Sequence, residues 1–438
     1  MPQKAVLVIG SGGKTKLGFI EQLSTLVSQV IIIDGSEHAQ LKYPGGTKTV
    51  FLQTLDEKSI IDTVQLLKSS YQITAVGTIS EPCMEVSAKV RGYLHLPGVP
   101  YEKILLTRNK SLMRDFLAKA GVKMPRCETF HRTDSKDAII ATATKFSPPF
   151  ILKPTTGAAN RGLRLVRSYD GFWSAYQKAL ADVDDYQGKR YEYRNVADEW
   201  MICEYIRGKE VETDLYLEEG KIAFNAIREK PLIFEREETI EENSSIIPPL
   251  TLTKSELTSL NLAIKSLSGL IYEEIARPSS VKYLTVFAEF RITAGGDVYC
   301  LEYTLRPAGA LCPLIIQKGT GVDIFEIAAR CTIGQRTVIP KKLLNKSVYF
   351  QILYSNCTGT YRGISGLKTS DSLAFIPNKN DGDVIKIPQS DYLAFILAEA
   401  ATQQDLLKEV TSSLENAKIL VEAGEGKIKE IGIPLPPK

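Results

Sequence analysis

Apolar and polar residues alternate with period two along residues 286–306, on both sides of Gly295-Gly296. Alternation around a glycine pair predicts a tight hairpin, because both central residues can take positive φ. With Ala294 facing Asp297 at the turn, counting outward sets Glu289 directly opposite Glu302. Residues 288, 290, 292, 299, 301, 303 and 305 then form an apolar face, and Glu289, Arg291, Cys300, Glu302, Thr304 and Arg306 form the polar one. Opposed side chains sit about 5 Å apart at Cβ, where like charges repel. A divalent cation would turn that repulsion into chelation, and hard carboxylate oxygens beside a hydroxyl suit Mg²⁺. A solvated sheet face, with Arg291 and Arg306 neutralising both acids, fits the same pattern. A slip of one residue would separate the pair, so the turn decides the chemistry.

The first hundred residues alternate short apolar runs with amphipathic stretches. Strands are expected over 5–9, 30–33 and 73–76, with helices over 18–28, 58–69 and from Glu81 to 91. Strand–helix alternation predicts a doubly wound parallel sheet, a Rossmann-like domain over residues 1–100. Leu96-Pro-Gly-Val-Pro100 punctuates the chain, and a helix over 110–120 closes at Gly121 before Pro125. Residues 101–340 mix strands (150–153, 162–166, 200–204, 211–217, 222–227) with helices (168–180, 254–275, 322–333), with a smaller subdomain over 126–206. Pro340 opens a C-terminal part, 341–438, with strands over 348–353 and 391–398 and a closing helix over 402–421. Stretches 182–198 and 236–249 read as long exposed loops.

A chain of 438 residues is long enough for two or three domains with their own cores. Its net charge of +3 comes from interspersed signs, which excludes the field of a nucleic-acid or membrane binder. Seven cysteines without a CxxC pair fit a reducing cytoplasm better than disulfides or zinc, and three histidines make a histidine-rich metal centre a poor fit. The apolar run at 5–9 is too short for a secretory leader, and no run reaches a membrane span, so a cytoplasmic location is expected.

Two glycine motifs fall short near the start. Gly10-Ser-Gly-Gly-Lys-Thr15 has the end of a phosphate loop, but Val8 stands where its first glycine is required. As a dinucleotide fingerprint it has Thr15 in place of the third glycine, although Asp34 stands where a ribose-binding acid would. A plain strand-to-helix turn explains these residues better than either motif.

The middle of the chain carries more chemistry. Lys153 ends an apolar strand and precedes Thr156, Gly157, Arg161 and Gly162, a loop whose backbone can approach an anion closely. An ordinary hairpin loop beside a snorkelling lysine reads the same way. Glu204, Tyr205 and Ile206 end another apolar strand, and Glu210, Glu212 and Asp214 follow at alternate positions. That linker can read an adenine edge and Glu210 a ribose diol, or the whole can be an amphipathic edge strand.

Taken in order, Lys110 in Asn-Lys-Ser-Leu-Met-Arg, Lys153 with its glycine loop, Glu204 to Glu210, and Glu289…Glu302-x-x-x-Arg306-Pro-x-Gly309 resemble the ATP-grasp superfamily. Within it the chain is most similar to the carboxylate–amine ligases of the L-amino acid ligase group. The resemblance implies an α/β pre-ATP-grasp domain, an α+β ATP-grasp unit clasping ATP, and a C-terminal subdomain. It also implies ATP and Mg²⁺ as cofactors, small carboxylate and amine partners, a homodimer as the assembly to test, and no nucleic acid or membrane. Lys110 and Lys153 would contact phosphates under the 155–161 loop, Glu204, Tyr205 and Ile206 would meet adenine, and Glu210 the ribose. Glu289 and Glu302 would bind Mg²⁺ with Arg306 facing the transferred phosphoryl group, and Glu81 and Gly309 would border the substrate. Apart from the resemblance, Arg228, Glu229 and Lys230 end a strand aimed toward the expected cleft, where they would bind an α-carboxylate or α-amine, or else form surface salt bridges. Thr304 stands where these enzymes usually carry asparagine, which puts the third metal ligand in doubt. A carboxylating or nucleotide-pathway ligase, a non-catalytic nucleotide-binding module and a nicotinamide oxidoreductase are the competing functions.

Overall fold

The computed structural model describes residues 2–157, 160–189, 198–235, 238–386, 392–424 and 426–437. The expected loops at 155–161 and 182–198, and the strand expected from 391, therefore lie partly outside the described residues; the described start of the second, 182–189, is not loop but the end of the helix Tyr169–Lys189.

Near the N-terminus four parallel strands lie in the order Lys48–Leu52, Val30–Gly35, Gln3–Ile9, Tyr71–Gly77. Val30–Gly35 is buried along its whole length, as helices on both faces of a parallel sheet demand. One of those helices comes from far along the chain. Ala328 and Ala329 of Ile324–Thr332 pack with Phe19 and Ile20 of Leu17–Leu26 and with Val6 and Val8 of the sheet. Their small side chains let the two helices approach closely, which fastens the first domain to the rest.

A small antiparallel sheet follows, ordered Cys127–His131, Glu199–Glu204, Phe150–Pro154, Arg164–Val166. Phe130, Phe150 and Trp200 on its apolar face pack with Phe172 and Tyr176 of the helix Tyr169–Lys189 and with Ile139 and Ala143 of the helix Lys136–Ala143. Cys127 and Cys203 stand opposite each other there and form a disulfide, with Cα atoms 4.0 Å apart. This corrects the expectation of free thiols throughout. The partners are 76 residues apart, so only strand pairing brings them together.

The largest sheet has eight antiparallel strands and crosses the boundary expected at residue 341. From one edge it runs Val298–Thr304, Tyr283–Ile292, Lys209–Glu218, Lys221–Glu229, Ser244–Ile247, Ser347–Leu353, Ala394–Ala400 and Leu373–Pro377. The long helix Lys254–Ile271, started by a Thr253/Glu256 capping box, covers one face.

Three further expectations change. The loop over 236–249 contains the strands Ile240–Glu242 and Ser244–Ile247, the latter central in the large sheet. The helix over 254–275 ends as an α-helix at Ile271 and finishes in a π turn, Tyr272–Ala276. The closing helix stops at Leu414, and Lys418–Ala423 is a strand whose Ile419 and Val421 enter the core.

Candidate active site

The strands Tyr283–Ile292 and Val298–Thr304 pair with Glu289 directly opposite Glu302. The register is reached by a different route from the simple count. Ile292 faces Val298 and Thr293 N–H donates to the Asp297 carbonyl at 2.9 Å, so residues 294–296 make a three-residue turn with Gly296 at φ +84°. That longer turn shifts the pairing by one. Leu301 then stands as an unpaired bulge between Cys300, opposite Phe290, and Glu302, which restores the acidic pair. Between turn and bulge the faces invert. Cys300 is buried beside Phe290 in the core, and Tyr299 comes opposite Arg291.

On its other side Glu289 faces Glu212, which in turn faces Arg228, so three glutamates form a row across three strands. Lysine holds the row together. Lys230 Nζ lies 3.0 Å from Glu289, 3.1 Å from Glu210 and 3.9 Å from Glu212. Burial alone would raise the carboxyl pKa of Glu210, but Lys230 and Arg291 outweigh it and hold the value below normal. The sequence marks Lys230 only as the residue at a strand end. Its central place depends on strand pairing that no local pattern encodes.

Two more lysines reach the pair from separate elements. Asn109 caps the helix Lys110–Ala118 by accepting from Ser111 and Leu112 N–H, which fixes where Lys110 leaves the helix. Lys110 Nζ lies 3.6 Å from Glu302, and its backbone N–H donates to the Thr155 carbonyl at 2.7 Å. Lys153 extends from Phe150–Pro154; burial and the neighbouring Lys110 lower its amine to about 8. Burial would raise Glu302, yet Lys110 and Lys153 together keep it below its ordinary value. Glu302 stays 40% exposed and Glu289 14%, so the pair opens to solvent on the Glu302 side.

The residues fit Mg²⁺ in the way that ion is commonly held. No group of three or more His, Cys, Asp or Glu among the described residues could hold a metal. Two opposed carboxylates open to solvent suit an ion that completes its shell with phosphate oxygens and water. Thr304 does not point its hydroxyl at the pair; it donates to Glu81 Oε2 at 3.1 Å.

Glu81 also accepts from Arg306 Nε and from Arg108 at 2.7 Å. Burial would push its carboxyl up, but Arg306 and Arg108 hold it at about 2. Arg306 is thereby tied to the first domain, with its Nη1 donating to the Pro307 carbonyl. Gly309 lies in the turn leading to the helix Cys312–Thr320, and a Cβ there would meet nothing within 4 Å.

The linker after Glu199–Glu204 is fixed by Arg291, a residue the sequence placed only on a polar face. Arg291 donates to Glu210 at 2.8 Å and to the Ile206 carbonyl at 2.8 Å, and its guanidinium lies 4.9 Å from the Tyr205 ring. Glu204 accepts from Arg126 N–H at 2.8 Å. The Glu210 and Glu204 carboxylates and the Ile206 carbonyl thus already have protein partners. Thr156 and Gly157 begin the loop after Lys153, with Gly157 at φ +136°. Arg161 and Gly162 end it, and a Cβ on Gly162 would come 2.7 Å from Val183 Cγ2. Arg228 is fully buried, donating to Glu212 at 3.0 Å and Asp214 at 2.7 Å, which overturns a surface salt bridge for it.

The glycine turn at Gly10 closes on the protein itself. Asp34 is fully buried and accepts from Ser11 N–H at 3.0 Å and Tyr43 at 2.8 Å, with His38 at 2.9 Å. A carboxylate filled this way leaves the dinucleotide reading without its ribose acid.

The ATP-grasp domain family matches residues 146–313, which span Lys153, Glu210, Glu289, Glu302 and Arg306. The chain carries an ATP-grasp domain. It is 22% identical over 363 residues to the alanine–anticapsin ligase of Bacillus subtilis, covering 80% of this chain and 73% of that protein. It is 23% identical over 257 residues to the D-alanine–D-alanine ligase of Geobacter sulfurreducens, covering 56% and 72%. Its fold matches the L-amino acid ligase of Bacillus licheniformis with a TM-score of 0.78 at 20% identity, over 97% of this chain and all of that one.

Proposed function

We propose that the chain is an ADP-forming ligase that joins an amino acid-like carboxylate to an amine through an acyl-phosphate, using ATP and Mg²⁺. The observation that carries this reading is the direct opposition of Glu289 and Glu302 beside Lys110 and Lys153 inside the matched ATP-grasp segment. Similarity to a D-alanine–D-alanine ligase and an alanine–anticapsin ligase supports the choice of chemistry.

Bound nucleotide with its Mg²⁺ supplies the phosphoryl donor and neutralises charge as the phosphate moves. The residues of this chain do the positioning. Glu289 and Glu302 hold the metal-bearing side of the triphosphate, and Lys110 and Lys153 cover its remaining negative charge. Ile206 offers its backbone N–H to adenine, while Arg291 keeps the 205–206 linker in place. Arg306 lies beside the carboxylate that attacks the γ-phosphorus and orients the acyl-phosphate for the amine. Phosphate then leaves as the amide forms. Thr155, Thr156 and Gly157 on one side and Arg161 on the other border the site and help exclude water, which would hydrolyse the intermediate.

The experiment is a screen of amino acid pairs for ADP and phosphate release, with product masses and ¹⁸O tracing from the carboxylate. Amide product with label passing into phosphate supports the reading. ADP release driven by bicarbonate, with no amide, would replace it with a carboxylating ligase.

A further inference from the structure

A cavity of about 460 Å³ lies between the parallel sheet and the beginning of the Tyr283–Ile292 strand. It runs along the open edge of Tyr71–Gly77, the outermost strand of that sheet, and is closed opposite by residues 280–285 and 305–307. Three cationic residues line it, Arg91, Lys282 and Arg306, and no acidic residue does among the described residues. Lys282 pairs with Glu219 and Arg306 with Glu81. Arg91 has no acidic partner among the described residues. It donates only to the backbone carbonyls of Val76 at 3.3 Å and Val99 at 2.7 Å, and burial lowers its guanidinium to about 10.

A second group points to the same ligand. Ser87 lies one turn before Arg91 on the helix Met84–Tyr93, so the two share a face. Ser87 is 1% exposed, lines the cavity, and its hydroxyl has no partner among the described residues. A buried hydroxyl without a bond is costly, and the half-buried Arg91 beside it carries a charge with no acid facing it among the described residues. Gly98 preserves the arrangement: at φ +143° it leaves room where a Cβ would fall 2.6 Å from Arg91 Nε. Val99, Ile104 and Leu305 give the cavity an apolar stretch of wall as well.

We propose that this cavity binds a small organic acid, its carboxylate seated on Arg91 and Ser87 and its apolar body against Val99, Ile104 and Leu305. The site is separate from the acidic pair. Thr285 on its wall precedes Glu289 by four residues, about 13 Å along a strand. The occupant reaches residues 305–307, Arg306 among them, so the acid acts as an effector of the ligase proposed above. Binding itself does not depend on that reading.

Calorimetric titration of the full chain with isocaproate and phenylacetate, against phenethyl alcohol as neutral control, tests the site. The acids should bind saturably and the alcohol at least about tenfold more weakly. Arg91→Met should weaken acid binding about tenfold or more while leaving MgADP affinity unchanged. Should Arg91→Met fail to fold, Ser87→Val fills the same space from the helix and should produce the same loss. Absence of saturable binding by both acids at about 10 mM would overturn the proposal. So would acid affinity that survives Arg91→Met or Ser87→Val, or that is lost in Arg306→Met alone, which would assign the acids to the substrate cleft.

Discussion

Glu81 and Arg306 form an ion pair across 225 residues of sequence, joining the first domain to the end of the strand that carries Glu302. Arg108 completes the cluster from the helix Tyr101–Arg108. An acid held between two arginines in a buried site is a joint under electrostatic tension: removing the acid leaves two cations facing each other.

Glu81→Gln should therefore lower stability by about 3 kcal/mol and reduce amide formation. The acid limb gives a sharper test. The folded-state pKa of Glu81, about 2, lies below its ordinary 4.5, so its contribution is complete above 4.5 and fades as pH falls toward 2. Urea unfolding across that window should show a shallower loss of stability in the variant than in the wild type.

Lys153 predicts a different pH dependence. Its amine titrates at about 8 in the nucleotide-free protein, so it is charged below that pH and neutral above it. Nucleotide phosphates favour the charged form, so affinity for MgATP should weaken as pH rises through 8, by up to about tenfold per unit. Lys153→Arg keeps the charge and should flatten the profile. Calorimetric affinities on either side of 8 read the difference.

The hairpin shows what the sequence could and could not reveal. Alternation and the two glycines correctly identified the pair of glutamates that meet. The three-residue turn and the Leu301 bulge were hidden, and their one-residue shifts cancel at Glu289 and Glu302 but not at Tyr299 and Cys300. Polar composition concealed Ser244–Ile247. Its serines are buried in a central strand because Ser245 donates to Glu212 at 2.8 Å and Ser244 accepts from Leu232 N–H at 3.0 Å. Past Leu414, Ile419, Leu420 and Val421 form a short continuous apolar run that periodicity alone does not separate from a helix, so the sequence merges the closing strand with the helix before it. Lys230 and Arg291 were legible as residues but not as hubs, since their partners lie on other strands.

Lys230→Met should test that hub. The substitution leaves Glu210 and Glu289 without their shared cation, and the fold should lose about 3 kcal/mol in denaturant titrations. Lys230→Arg, which restores the charge, should recover most of the stability.

The most direct measurement of the central claim is ADP affinity with and without Mg²⁺, in the wild type and in Glu302→Gln. Mg²⁺ should strengthen ADP binding about a hundredfold in the wild type and less than about threefold in the variant, whose melting temperature should stay close to the parent. A variant that keeps the full Mg²⁺ enhancement would show that the opposed glutamates do not hold the metal–nucleotide complex.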